Sequence, residues 1–128
     1  MAVRVVRLGS ERIPGEGLRI GTVRRPPRGV LKSDYARRNF YDVWLPILAP
    51  SAASVRQALH CRSEHDWIRF VKKYRREMSG TPERRTIELL AALSHQADFS
   101  VGCYCADESR CHRSVLRELL RECLARLK

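Results

Sequence analysis

The stretch Phe99-Ser-Val-Gly-Cys-Tyr-Cys105-Ala-Asp-Glu-Ser-Arg-Cys111-His112-Arg113-Ser114-Val115-Leu116 decides the fold. Its opening run has strand character and predicts a strand over 99–105. A polar turn from Ala106 to Arg110 follows. Beyond it, Val115, Leu116, Leu119, Leu120, Cys123 and Leu127 belong to a final helix with an apolar side. A strand that feeds a loop and then a helix is the unit of parallel sheets, and it sets a helix start beside the carboxyl end of the strand.

Working toward the N-terminus, Val3–Leu8 and Leu18–Val23 are β-branched runs stopped by glycine or by Pro26-Pro27, and both predict strands. Tyr41–Leu45 is a shorter apolar run closed by Pro46, and it reads as a buried strand. Helical signals fill the middle. Ser51 is a candidate cap for a helix toward Leu59. Ser63 precedes Glu64 and Asp66, and Trp67, Phe70, Val71 and Tyr74 then form one apolar stripe, read as core packing. Gly80 ends that helix, and Thr81-Pro82-Glu83 restarts another as cap, first helical residue and early acid. The expectation is an α/β protein: a single compact domain over 1–128, with a central, mainly parallel sheet flanked by helices. The Gly/Pro-rich part from Ile13 to Gly29 is too short to separate two domains.

Composition narrows the setting. No apolar run approaches the ~20 residues of a membrane span, and MAVRVVRLGS lacks the apolar core of a signal peptide. Five cysteines, an odd count without an export signal, suit free thiols or metal ligands better than a disulfide framework, so a cytoplasmic location is expected. Lys and Arg outnumber Asp and Glu by 25 to 14, a formal charge of +11, which favours phosphate-bearing partners or nucleic acid. The alternative is arginine on solvated helix faces, since the cations are spread along the chain.

The chemistry, if there is any, concentrates in the C-terminal segment. Cys103 and Cys105 share a strand face if the strand runs to its predicted end. Cys111, His112, Arg113 and Ser114 fall at the first turn of the last helix, where unpaired N–H groups favour anions and thiolates. Three readings stay open. In the first, a phosphate-bearing ligand binds here, with Arg24, Arg25, Arg113 and Ser114 holding the anion, Cys103, Cys105 or Cys111 as nucleophile and His112 moving a proton. In the second, Cys103, Cys105, Cys111 and His112 ligate zinc or iron, although the spacing departs from the usual C-x₂-C. In the third, the cysteines are small buried hydrophobes and His112 and Arg113 finish the helix.

From Cys103 and from Cys105 a thiolate phosphatase is rejected on spacing, because that chemistry requires an arginine six positions after the cysteine, and those positions hold Ser109 and Cys111. Asp107 and Glu108 would repel a phosphate unless they point away. Cys61, His60 and His65 have no metal spacing, Cys123 reads as core, and Asp34, Asp42, Glu77 and Glu88 read as solvated charges.

Taken together, Arg19-Ile-Gly-Thr-Val-Arg-Arg25 with Pro27, Tyr41-Asp-Val-Trp-Leu45, Leu48-Ala-Pro-Ser51, the Trp67…Phe70…Tyr74…Glu77 series and Cys103…Cys111-His112-Arg113-Ser114 resemble the domain of unknown function 488 family, including its YeaO-like branch. The resemblance covers nearly the whole chain. It implies a compact α/β fold with a central sheet and names no function. Residue by residue it points to Arg24, Arg25, Cys103, Cys111, His112 and Arg113. It also implies that a thiol-dependent reaction is not common to the family, since the YeaO-like branch lacks this cysteine set.

Overall fold

Alternating β-branched residues become strands at Val3–Arg7 (β1), Leu18–Gly21 (β2) and Phe99–Cys103 (β4), joined by a two-residue edge strand, Val43–Trp44 (β3). In the computed structural model, which describes residues 1–128, they form one sheet in the order β1-β4-β2-β3. Every pairing is parallel, as the strand-loop-helix pattern predicts. The last strand is inserted between the first two. Its carboxyl end therefore opens where the strand order reverses, the place where open α/β sheets hold ligands.

Four helices complete the fold: Ala52–Leu59 (α1), Glu64–Met78 (α2), Thr81–Leu93 (α3) and His112–Glu122 (α4). Ser51 and Ser63 cap as predicted, accepting from the backbone N–H of Ser54 and Asp66. α3 begins one residue earlier than its sequence signals suggest: Gly80 holds the cap position and Thr81 is already helical. None of the helices is long and apolar enough to cross a membrane.

Alternation along the strands sends Val3, Ile20, Phe99 and Val101 into one core with Phe70, Tyr74, Ile87, Leu90, Leu116 and Leu120 from α2, α3 and α4. Burying one such side chain contributes about 1.5–3 kcal/mol. The opposite face is covered by loops. There Gly21 lies under the Tyr41 ring, where an added Cβ would sit 2.4 Å from the ring carbon, so only glycine fits. Arg19, fully buried, pairs with Glu16 (Nε to Oε2 2.7 Å, Nη2 to Oε1 2.9 Å) and donates to the Ser10 and Asn39 carbonyls. Burial alone would raise the Glu16 carboxyl, but hydrogen bonds from Arg19 and Ser100 outweigh it and hold the pKa below the usual value.

Four further sequence expectations need correction. The final helix stops at Glu122, so Leu127 lies outside it and pairs with Val3 in an isolated parallel bridge. The run Tyr41–Leu45 does not make a buried strand: β3 is reduced to Val43–Trp44 at the sheet edge, both about two-fifths exposed, and it is Tyr41 that is buried. An edge strand has one neighbour, and Pro46 stops it after a single hydrogen-bonded turn of the ladder. β4 ends at Cys103 rather than Cys105, because the chain turns away once it leaves its two flanking strands. Glu77 is no solvated charge: its carboxylate accepts from Ser51 N–H, Ser51 Oγ and Ser54 Oγ (3.0, 2.7 and 2.7 Å) and fastens α1 to α2.

Candidate functional site

Cys103 is the last residue of β4 and is buried, with Leu8, Val23, Tyr41 and Cys111, in a small second core under the carboxyl end of the sheet. The chain then loops through Tyr104, anchored by its hydroxyl to the Arg25 carbonyl (2.9 Å), and reaches the exposed Cys105, whose backbone N–H donates to Cys103 Sγ (3.4 Å). Asp107 accepts from Ser109, and Glu108 pairs with Arg117 at 2.8 Å. Both acids are thereby spent on the loop and on α4. Cys111 occupies the cap position of α4, and Ser114 Oγ donates back to the Cys111 carbonyl at 2.9 Å.

His112 is buried against the Tyr74 ring, edge to face at 5.4 Å. Its Nε2 lies 2.8 Å from the Thr22 carbonyl, which can only accept, so Nε2 carries the proton and Nδ1 is the free nitrogen, 3.7 Å from Cys111 Sγ. Burial lowers the His112 pKa to about 4, and the ring is neutral at pH 7. Arg113 is buried too. One guanidinium nitrogen donates to the Cys105 carbonyl (2.7 Å), while its Nε has no partner.

The three thiols share their protons unequally. Hydrogen bonding with the Cys103 and Cys111 thiols, helped by the positive charge of Arg113, holds Cys105 well below the ordinary thiol pKa despite partial burial. Cys103 moves up, through its hydrogen bonds to Cys105 and Cys111 and through burial. The Cys103 thiol lowers Cys111, but hydrogen bonding to Cys105 and burial raise it by more. Cys105, the outermost of the three sulfurs and the one that water reaches, is therefore the thiol that ionises most readily.

Cys105 opens onto a cleft of about 420 Å³ between α1, the β2 loop and the start of α4. Its walls include Val23, Val55, Leu59 and Phe70; Cys103, Cys105, Cys111 and His112 form one side, and Arg24, Arg25, Arg56 and Arg110 contribute the charge. Arg24 is tied to the Pro50 and Ala49 carbonyls, and Arg110 to Glu64 and the face of Trp67. Arg25 and Arg56 are exposed and have no carboxylate partner. The structure thus gathers the sequence candidates Arg24, Arg25, Cys103, Cys105, Cys111 and His112 around one cleft. It sets Arg113 beneath the loop and Ser114 against the helix cap. Arg56 and the apolar wall from α1 were not singled out from the sequence, because nothing local says that α1 packs beside this loop. Arg110, adjacent to Cys111, was the one legible omission.

A metal could be held by Cys103 Sγ, Cys111 Sγ and His112 Nδ1, whose ligand atoms all lie within 4.8 Å of one another. The Nε2–H to carbonyl bond fixes the tautomer that such a ligand needs. Cys105 stands outside that set. His60, Cys61 and His65 form no comparable group, and the Cys61 thiol donates to the Ser63 carbonyl at 3.7 Å.

No curated protein and no solved structure matches the chain. One family profile does, that of DUF488-N3a, described as the active DUF488-N3 subclade, over residues 3–124. With nearly its whole length matched, and with the α/β fold and the Cys-His-Arg corner the resemblance implied, the chain belongs to the DUF488 family.

Proposed function

We propose that the cleft binds a phosphate-bearing, nucleotide-like ligand, with Arg25 and Arg56 on the anion, the apolar wall against its base or sugar, and the Cys105 thiol beside it. One observation carries the reading: an exposed cysteine borders an apolar cleft whose mouth carries two arginines without acid partners. Apolar walls with a few convergent charges are the usual makeup of small-molecule sites, and a guanidinium fork suits phosphate. The lowered Cys105 pKa supports a nucleophilic role. The description of the subclade as active agrees with a site that performs chemistry.

In this reading Arg113 serves from below, holding the Cys105 carbonyl and contributing potential, and the clamp on the anion passes to Arg25 and Arg56. His112, neutral and locked on Thr22, orients Cys111. The test is calorimetric titration with nucleoside monophosphates. Arg25→Ala with Arg56→Ala should weaken binding at least about tenfold, since hydrogen bonds to charged groups contribute about 1.5–3 kcal/mol each. A double variant that binds as tightly as the parent refutes the placement.

A second reading, zinc or iron on Cys103, Cys111 and His112, rests on the clustering of their ligand atoms and the preset imidazole. It predicts a marked fall in Tm on chelation. Unchanged melting removes it.

A further inference from the structure

A second cationic surface lies outside the cleft. A groove of about 540 Å³ between α1 and α2 is lined by Gln57, His60, Asp66, Arg69, Lys72, Lys73 and Arg76, with no apolar residue among them. Arg69, Lys72, Lys73 and Arg76 stand at i, i+3, i+4 and i+7 on α2, one face of the helix. Elsewhere on the helices, Arg75, Arg84, Arg85, Arg117 and Arg121 each meet a carboxylate. None of the four groove cations does. The nearby acids are committed: the Asp66 carboxylate accepts from the Arg62 N–H, and that of Glu77 from the Ser51 and Ser54 hydroxyls. Like charges at these spacings repel and weaken a helix, and a bound polyanion relieves that repulsion.

We propose that this groove binds the sugar-phosphate backbone of a nucleic acid. The stripe from Arg69 to Arg76 rises about 10.5 Å along the axis, close to the rise of about three nucleotides of a duplex strand. Concavity and the absence of any apolar side chain set it apart from a membrane-surface helix, which buries an apolar face between lipids. The last turn of α1 stands between the two sites, giving Gln57 and His60 to the groove and Arg56 and Leu59 to the cleft. A strand in the groove therefore runs beside the cleft mouth. The inference stands on the groove alone and does not depend on what the cleft binds.

The experiment is fluorescence anisotropy of a labelled mixed-sequence single strand of about 20 nucleotides, titrated across salt. With four phosphates neutralised, log Kd against log salt should have a slope of about 2.8, so affinity falls about 50-fold between 50 and 200 mM salt. Arg69→Gln, Lys72→Gln, Lys73→Gln and Arg76→Gln together should weaken binding at least about tenfold at the lower salt and flatten the slope. That variant should melt no lower than the parent and keep its affinity for mononucleotides, which separates groove from cleft. The control quartet Lys32→Gln, Arg38→Gln, Arg126→Gln and Lys128→Gln, all exposed and outside the groove, should leave most of the affinity in place. Three results overturn the proposal: an equal loss in the control quartet, parental binding by the groove variant, or a parent that binds anionic phosphatidylserine vesicles and no oligonucleotide.

Discussion

The molecule stores charge in two places, and they are built differently. On the loop-covered face of the sheet, Arg19 and Glu16 are both buried, and the guanidinium is satisfied by two carboxylate oxygens and two carbonyls. At the carboxyl end of β4, Cys105, its thiol pKa lowered beside Cys103 and Cys111, is exposed and faces an open cleft. The first arrangement leaves nothing for a ligand to do. The second leaves an exposed, readily ionised sulfur facing the cleft, and that difference separates a structural charge from a chemically available group.

The largest effect should come from the closed pair. Arg19→Met leaves Glu16 buried and unpaired and should cost about 3–5 kcal/mol in chemical denaturation, enough to threaten folding altogether. In whatever fraction folds, Cys105 should react with iodoacetamide at the parental rate. A variant that folds normally but loses Cys105 reactivity would mean that the two charges are coupled.

Arg113→Ala should fall next, at about 1.5–3 kcal/mol for a lost charged hydrogen bond to the Cys105 carbonyl. Unlike Arg19→Met it should also slow alkylation of Cys105, because the loop loses its tether and the sulfur a nearby positive charge. Cys105→Ser should cost about 0.5 kcal/mol or less and should remove the fast-reacting thiol, since Cys103 and Cys111 are buried.

These contrasts show what the sequence could convey. β4 and α4 were readable because their apolar residues repeat at strand and helix periods, and Ser51 and Ser63 because a capping side chain announces itself locally. The Cys-His-Arg cluster was readable as a place of chemistry, but its division of labour was not. Whether Cys103 or Cys105 is the exposed thiol depends on where β4 stops, and that depends on the lengths of its neighbours in the sheet. The role of Arg19 depends on a loop closing over it from Ser10 to Glu16 and on Asn39, contacts with no local signature. Glu77 looked like an ordinary helix-surface acid until α1 was placed beside it.

The smallest effect concerns acid. Glu16 and Glu77 both have folded pKa values below the 4.5 of an ordinary glutamate: burial raises each, but hydrogen bonds from Arg19 and Ser100, and from Ser51 and Ser54, lower it further. A depressed carboxyl adds stability that is complete above the unfolded value and is lost as pH falls through the folded one. Between pH 5 and 3 the Tm of the parent should therefore fall, and Glu77→Gln should fall less steeply from a lower starting point. Parallel curves would assign the acid sensitivity to other carboxyls.

The most direct test of the account is the alkylation rate of each cysteine by iodoacetamide at pH 7, read by mass spectrometry with and without nucleoside monophosphates, the half-exposed Cys61 serving as internal reference. The account predicts that Cys105 is modified well ahead of Cys61 and that nucleotide slows Cys105 alone. Modification of Cys105 no faster than Cys61, with no effect of nucleotide, would contradict it.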